Sequence, residues 1–254
     1  MKLKFNFKTS MLFSAAGFAA LWLLWIISCY SVKNSYIIPS VKDTFSAMGK
    51  LMGGGAFWRA FGNTLLRTFL AFLISFVLGV SLAVLAANIK GVRAFLAPVV
   101  SVLRTVPTLA VVLLLLIWTS PATAPVVVAS LVLFPAVYAS ALSHLVSAVE
   151  KFGAFTRAYQ VGAARKIFKL YLPVTAPAVL TEGGASFSLG LKITVSGEVL
   201  AATFRSLGGM MQEAQSVYLD TPRLFALTII TVLAGFLLEG ACVLVKKLVV
   251  RWQA

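Results

Sequence analysis

The stretch GAARKIFKLYLPVTAP, residues 162–177, sits between two long apolar runs. It opens on Gly162, a residue suited to stopping a helix or making a sharp turn. The following segment, 163–171, reads as a short helix. Arg165, Lys166 and Lys169 give it a polar side, and Ile167, Phe168, Leu170 and Tyr171 an apolar one. Leu172-Pro173 then opens the next run. Such a helix either lies on anionic lipid or serves as a docking knob for a cytoplasmic protein. The runs around it decide which.

Hydrophobic residues make up 60% of the 254, and charged residues 11%. An ordinary soluble domain carries about 25% charged residues, so this chain uses lipid as its solvent. The formal charge of +15 does not form one patch of the kind nucleic acid needs. The basic residues cluster at the ends of apolar runs, as membrane topology signals do. Nucleic acid is therefore not an expected partner, and the lipid bilayer is. The two cysteines, Cys29 and Cys242, lie in apolar segments and read as small buried thiols. Ile26-Ile27-Ser28-Cys29 loosely resembles a lipoprotein cleavage site. The apolar run before it is longer than the 7–15 residues or so of a signal peptide, so it reads as a retained first span.

A spanning helix needs about 20 mostly apolar residues. Candidate runs fall at 10–31, 59–87, 94–118, 122–145, 174–203 and 222–246. Lys2, Lys4 and Lys8 precede the first. Lys90 and Arg93 separate the second and third. Lys151, Arg157, Arg165, Lys166 and Lys169 separate the fourth and fifth. Lys246, Lys247 and Arg251 end the chain. With six spans, all these groups fall on one side, the cytoplasmic one, and both termini lie there. The opposite side has fewer, with Lys33, Lys42 and Lys50 in its first loop and Arg205 and Arg223 flanking the last. Residues 1–58 therefore read as a first span plus an extracytoplasmic segment. Residues 59–254 read as a core of five spans with a cytoplasmic loop at 145–173. Within the first outer loop, 41–51 reads as a short helix capped by Ser40.

Enzyme chemistry needs a nucleophile with its base, paired carboxylates, or a metal cluster. The seven acidic residues show no such spacing, and the lone His144 has no ligand-type neighbours. No catalytic or metal-ligating residue is expected. Ionisable residues inside spans are costly and are functional candidates by default. They are Arg67, Arg104, Glu182, Lys192, Glu198 and Glu239. Arg67 and Glu239 read as packing, snorkelling or a structural ion pair. Glu198, in Ser196-Gly197-Glu198, is the stronger functional candidate. Gly183, Gly184, Ala185, Ser188, Gly190 and Gly197 make the fifth run suited to close helix packing or to lining a path. Pro107 breaks the third run, and Pro121, Pro125 and Pro135 are expected to break the ladder nearby. Irregular backbone at membrane depth must be covered by protein or water. Residues 104–108 are therefore expected to face protein or a pore.

These pieces together resemble a known family. Gly162-Ala163-Ala164-Arg165, then Leu172-Pro173 and Ala176-Pro177, is similar to the cytoplasmic signature of the permease subunits of bacterial ATP-binding cassette importers. The nitrate, taurine and sulfonate branch is the one it resembles. Ile37-Ile38-Pro39-Ser40, Asn63-Thr64-Leu65-Leu66-Arg67, Leu103-Arg104-Thr105-Val106-Pro107, Leu116-Ile117-Trp118 and Gly197-Glu198-Val199-Leu200 match further motifs of that branch in order and spacing. Two departures stand out. Thr156 occupies the place of the family glutamate before the glycine, and the docking helix is shorter.

The resemblance implies an all-α, polytopic fold of about six spans, the binding-protein-dependent importer permease (MetI-like) fold, in a bacterial cytoplasmic membrane. It implies a homodimer with a path between subunits, a cytoplasmic ATP-binding cassette ATPase, and an extracytoplasmic substrate-binding protein. ATP and Mg belong to the partner ATPase, and this chain binds no cofactor. It assigns Gly162, Ala163, Arg165, Lys166, Phe168 and Pro173 to ATPase coupling. Arg104, Pro107, Ser188, Lys192 and Glu198 are the expected path or gate. The branch carries small anions, sulfonates and vitamin precursors. Two other readings use the same residues differently: an ion-coupled secondary transporter, and a non-transport membrane scaffold. A vitamin-type importer with a separate substrate-capturing membrane subunit would want Ala-Arg motifs on long cytoplasmic helices, which the sequence lacks.

Overall fold

The computed structural model describes residues 7–32 and 34–249. Lys2, Lys4, Lys33 and Arg251, used above for orientation, lie outside the described residues, as do the side chains of Lys8 and Lys247. Helices are the only regular structure among the described residues. They are α1 (Phe7–Val32), α2 (Val41–Met52), α3 (Gly55–Asn88), α4 (Lys90–Thr105), α5 (Thr108–Trp118), α6 (Ala124–Ala158), α7 (Ala163–Lys166), α8 (Leu172–Leu200), α9 (Leu207–Ser216) and α10 (Thr221–Val249). A π-helical turn, Ile167–Tyr171, joins α7 to α8.

The all-α, multi-span fold read from the sequence is the one observed. Four helices are long and apolar enough to cross a membrane alone, namely α1, α3, α6 and α10. The pair α4 and α5 adds a fifth span if counted together, and it is bent by 96°. The expected fifth run forms α8, 29 residues long, but Glu182, Lys192, Glu198 and many small residues dilute its apolarity. It tolerates them because it packs among α3, α6 and α10, where protein replaces lipid as its surroundings.

Pro107 does break its span, as expected. Val106 is extended and Pro107 caps α5. Two of the other prolines behave differently. Pro125 sits in the first turn of α6, where its missing N–H costs nothing, and Pro135 lies inside α6 without ending it. Residues 104–107 are exposed in the single chain, so the protein or pore expected to face them is not supplied by the packing of this chain alone.

Small residues set the packing distances. An added Cβ on Gly184 of α8 would lie 2.7 Å from Cys242 Cβ of α10, so these helices meet almost backbone to backbone. Ser75 Oγ on α3 donates to Ser130 O on α6 at 2.9 Å. One core cluster joins Ala86, Leu96, Ala148 and Tyr171. The end of α3, the start of α4, the end of α6 and the start of α8 therefore lie together. A second cluster joins Phe57, Leu191, Leu207 and Leu227 at the opposite end.

The α1 helix stands at the periphery. None of its apolar window is buried. Trp22 stacks on Phe45 of α2, and Trp25 Nε1 donates to Pro39 O at 3.3 Å. The short α2 helix forms where the sequence placed it, with Ser40 Oγ accepting from Asp43 N–H at 3.1 Å.

Candidate functional site

The loop between α6 and α8 is shorter than the apolar pattern suggested, because α6 continues in helix to Ala158. The turn that stops it is not at Gly162. Gln160 takes the left-handed conformation, with φ 49°, while Gly162 is extended and caps α7. Leu172-Pro173 does open the next long helix, as read from the sequence, but it does so without interrupting the helical path from the segment before it. Leu172 N–H reaches back to Ile167 O, a spacing of five residues, and the chain runs on into α8. Proline cannot donate and its ring crowds the carbonyl four residues back. The wider π turn ahead of Pro173 accommodates both. Residues 163–171 are thus the first turns of α8 itself, so a push on them acts on that helix.

Tyr171 anchors this segment. It is buried, and its hydroxyl lies 3.5 Å from Thr156 Oγ1 of α6. Thr156, the residue in place of the family glutamate, is buried and also donates to Gly153 O at 3.1 Å. The other side of the segment is open. Gly162, Ala163, Ala164, Arg165 and Lys169 are exposed, and Lys166 is half-buried. Nothing lies within 4 Å of where a Gly162 Cβ would stand. The fold itself therefore has no need of glycine there. Phe168 is 70% exposed. It edges an apolar hollow of about 330 Å³ formed with Phe76, Leu145 and Pro173. Close by in sequence, Phe155 and Tyr159 are exposed and in ring contact, 4.6 Å between centroids.

A second open surface runs along α5 and α8. Leu109, Leu113, Ile117 and Trp118 of α5 are exposed, as are Leu189, Lys192 and Ser196 on one face of α8. Arg104 lies at the bend, its Nη2 donating to Pro135 O at 3.3 Å. Ser188 is turned away from this surface and donates to Gly235 O of α10 at 3.2 Å. Lys192 and Pro107 are therefore open, and Ser188 is not.

The third feature lies at the far end of α8. Glu198 has no exposed surface. Its Oε1 accepts from Arg67 Nη1 at 3.0 Å, and its Oε2 accepts from Thr64 Oγ1 at 2.8 Å and from Gly208 N–H at 3.2 Å. Thr64 Oγ1 in turn accepts from Leu207 N–H at 2.9 Å. The carboxylate sits on the first turn of α9, where free N–H groups and the helix dipole favour negative charge. Ser206 caps that helix, its Oγ accepting from Gly209 N–H at 2.8 Å. A Cβ on Gly208 would stand 2.6 Å from Val195 O, so only glycine lets α9 come this close to α8. The sequence singled out Glu198 but not Thr64 or Gly208. A signal existed: Thr64 and Arg67 are three residues apart, on one face of a helix. Glu198 so enclosed fastens α3, α8 and α9 and offers nothing to a passing solute.

Together these features describe a multi-pass membrane protein with a broken span, an open helix face and an exposed helical knob at one end. The family model described as "Binding-protein-dependent transport system inner membrane component" matches residues 75–251. The chain belongs to that family. It is a permease subunit of an ATP-binding cassette importer, a multi-pass inner membrane transport protein.

Curated relatives agree with the branch read from the motifs. The chain is 25% identical over 237 residues to the taurine transport system permease of Escherichia coli K12, covering 90% of this chain and 85% of that one. It is 26% identical over 240 residues to a Bacillus subtilis permease assigned to aliphatic sulfonates, covering 92% and 85%. The riboflavin transport system permease of Chloroflexus aurantiacus is 27% identical over 230 residues, covering 87% and 82%. Among solved structures, the inward-facing MetNI methionine ABC transporter aligns with TM-score 0.65 at 16% identity, covering 76% of this chain and 96% of that one. An amino acid ABC transporter with histidines aligns with TM-score 0.61 at 22% identity, covering 77% and 93%. At these identities the structural likeness concerns the fold.

Proposed function

We propose that two copies of this chain form a path between them, and that a separate cytoplasmic ATPase drives it through residues 162–171. One observation carries this reading: the exposed segment is continuous with α8 through the π turn. An ATPase that grips Arg165, Lys166 and the open face beside Gly162 would move α8 as a lever. Tyr171 and Pro173 sit at the root of that lever, where motion passes into the core. The ATPase supplies ATP and Mg, and this chain binds neither.

The bend at Val106-Pro107 supports the pairing of copies. Irregular backbone at membrane depth needs cover, and residues 104–107 lack it in one subunit. A second copy placed against α5 and the open face of α8 covers it. Arg104, Pro107 and Lys192 then border the path, with Ser188 and Glu198 behind it as supports. The basic residues beside the shared cluster of Ala86, Ala148 and Tyr171 support a cytoplasmic position for that end, with the start of α1 and the end of α10 assigned to the same side. The Glu198 end faces out, toward an extracytoplasmic binding protein. The substrate is a small organic anion of the sulfonate type, in keeping with the taurine and aliphatic sulfonate relatives.

Co-purification in mild detergent tests the coupling. An ATPase is expected to come down with the wild-type chain and to be lost from Gly162→Trp, with membrane insertion unchanged. Equal recovery of the ATPase with both chains sinks the assignment of 162–171, and recovery with neither sinks the reading as a whole.

A further inference from the structure

At the Glu198 end of the molecule, three arginines from separate elements meet around one hollow. Arg59 comes from the first turns of α3, Arg205 from the loop before α9, and Arg223 from the start of α10. The hollow measures about 320 Å³, within the range of small-molecule sites. Ala60, Phe204 and Met210 give it an apolar wall. Its carboxylate is Glu213, 4.0 Å from Arg223 Nη2, which leaves the positive charges in excess.

Two of the arginines are anchored by their neighbours, Arg205 from an exposed position and Arg223 from a half-buried one. Arg205 adopts a left-handed backbone, with φ 51°, a conformation that a long side chain takes only when its surroundings impose it. Those surroundings are on hand: Asn63 Nδ2 donates to Arg205 O at 3.0 Å, and Thr203 Oγ1 donates to Pro121 O at 2.7 Å. The Arg205 guanidinium lies over the Phe204 ring, 5.1 Å from its centroid. Arg223 lies over Tyr218 at 5.6 Å, and its Nε is buried without a hydrogen-bond partner. Arg59 is exposed at the rim. A planar guanidinium with free donors is the group best matched to an oxyanion.

We infer that this hollow is an outer receiving site for a small organic oxyanion, with Arg59, Arg205 and Arg223 binding the charged head and Phe204 and Met210 facing its carbon part. The inference rests on the importer reading, and adds that the permease itself, not only its binding protein, holds the anion on entry. The site lies outside the α5 and α8 surface assigned to the path. Anion capture there raises the local concentration of substrate at the mouth.

The test is calorimetric titration of the purified full chain, with any ATPase that accompanies it, using ethanesulfonate as the probe. Ethyl methyl sulfone, which lacks the charge, is the control. Saturable binding of the sulfonate alone is expected. Loss of one charge-assisted contact should weaken it about tenfold in Arg59→Gln and in Arg205→Asn. Asparagine tolerates the left-handed backbone, so the second variant keeps the loop. Lys90→Gln, exposed at the other end of the molecule, should bind as wild type. No saturable binding, or equal binding by the Arg59 and Arg205 variants, overturns the site. Retained sulfonate binding with lost recovery of the binding protein also overturns it, and makes the hollow a protein-docking face. ATPase recovery in the same preparations keeps the two ideas apart: an ATPase present without sulfonate binding defeats this inference and leaves the permease reading intact.

Discussion

Glu198 of α8 and Arg67 of α3 form a buried ion pair, 3.0 Å from Oε1 to Nη1, with the carboxylate wholly enclosed. Two further donors, Thr64 and Gly208, complete its shell. A satisfied buried pair adds little net stability over an apolar one, but removing one partner strands the other. Arg67→Ala should therefore destabilise the folded permease by about 3–5 kcal/mol. Glu198→Gln keeps an acceptor for Thr64 and Gly208 and should cost less. Thermal unfolding in detergent, followed by size-exclusion recovery, ranks the variants. An Arg67→Ala chain as stable as wild type would remove the fastening role.

Gly208 offers a check that does not touch charge. A methyl group there meets Glu198 Cβ and lies 2.6 Å from Val195 O, and neither can move without shifting α8. Overpacking of this kind costs about 1–3 kcal/mol or more. Gly208→Ala should lower the melting temperature, whereas Gly162→Ala, with nothing within 4 Å, should leave it unchanged. Comparable losses at both glycines would contradict the geometry.

Much of the fold was legible because membrane spans are written in long apolar runs and their breaks in proline. The break at Pro107 and the capped α2 helix follow directly from local chemistry. Pro125 and Pro135 misled for a positional reason: a proline in a first turn is silent, and one inside a long packed helix can be tolerated by its neighbours. The π turn at Ile167–Tyr171 was hidden because it depends on how the chain meets Pro173 in three dimensions. Glu198 could be suspected from its cost in a membrane, and Arg67 as half of an ion pair. Their pairing crosses 131 residues of sequence, and no local pattern records it. The arginine hollow was invisible for the same reason, its residues being drawn from α3, the loop before α9, and α10.

Pairing of two copies through α5 has its own test. Leu113 is 58% exposed on α5, and Leu78 of α3 is also open. A cysteine at Leu113 should cross-link to its copy in native membranes under mild oxidation, giving a dimer band on a non-reducing gel. A cysteine at Leu78, placed on the lipid side by the same arrangement, should not. Native Cys29 and Cys242 are free thiols and are replaced by serine in both variants compared. Cross-linking at Leu78 but not at Leu113 would place the second copy elsewhere.

The lever formed by 162–171 and α8 makes a prediction that separates docking from coupling. Tyr171 is buried against α6 through Thr156, whereas the face around Arg165, proposed to dock the ATPase, is open. Tyr171→Phe removes one long hydroxyl contact while keeping the ring in the core, so the knob still forms. Arg165→Glu reverses a charge on the face offered to the ATPase and leaves the root alone. In reconstituted vesicles, Arg165→Glu should lose ATPase recovery and transport together. Tyr171→Phe should retain the ATPase and its hydrolysis, with transport lowered several-fold, because the link from knob to bundle is looser. A Tyr171→Phe chain that transports at the wild-type rate would mean that the π turn alone carries the motion, and that the Thr156 contact is only packing.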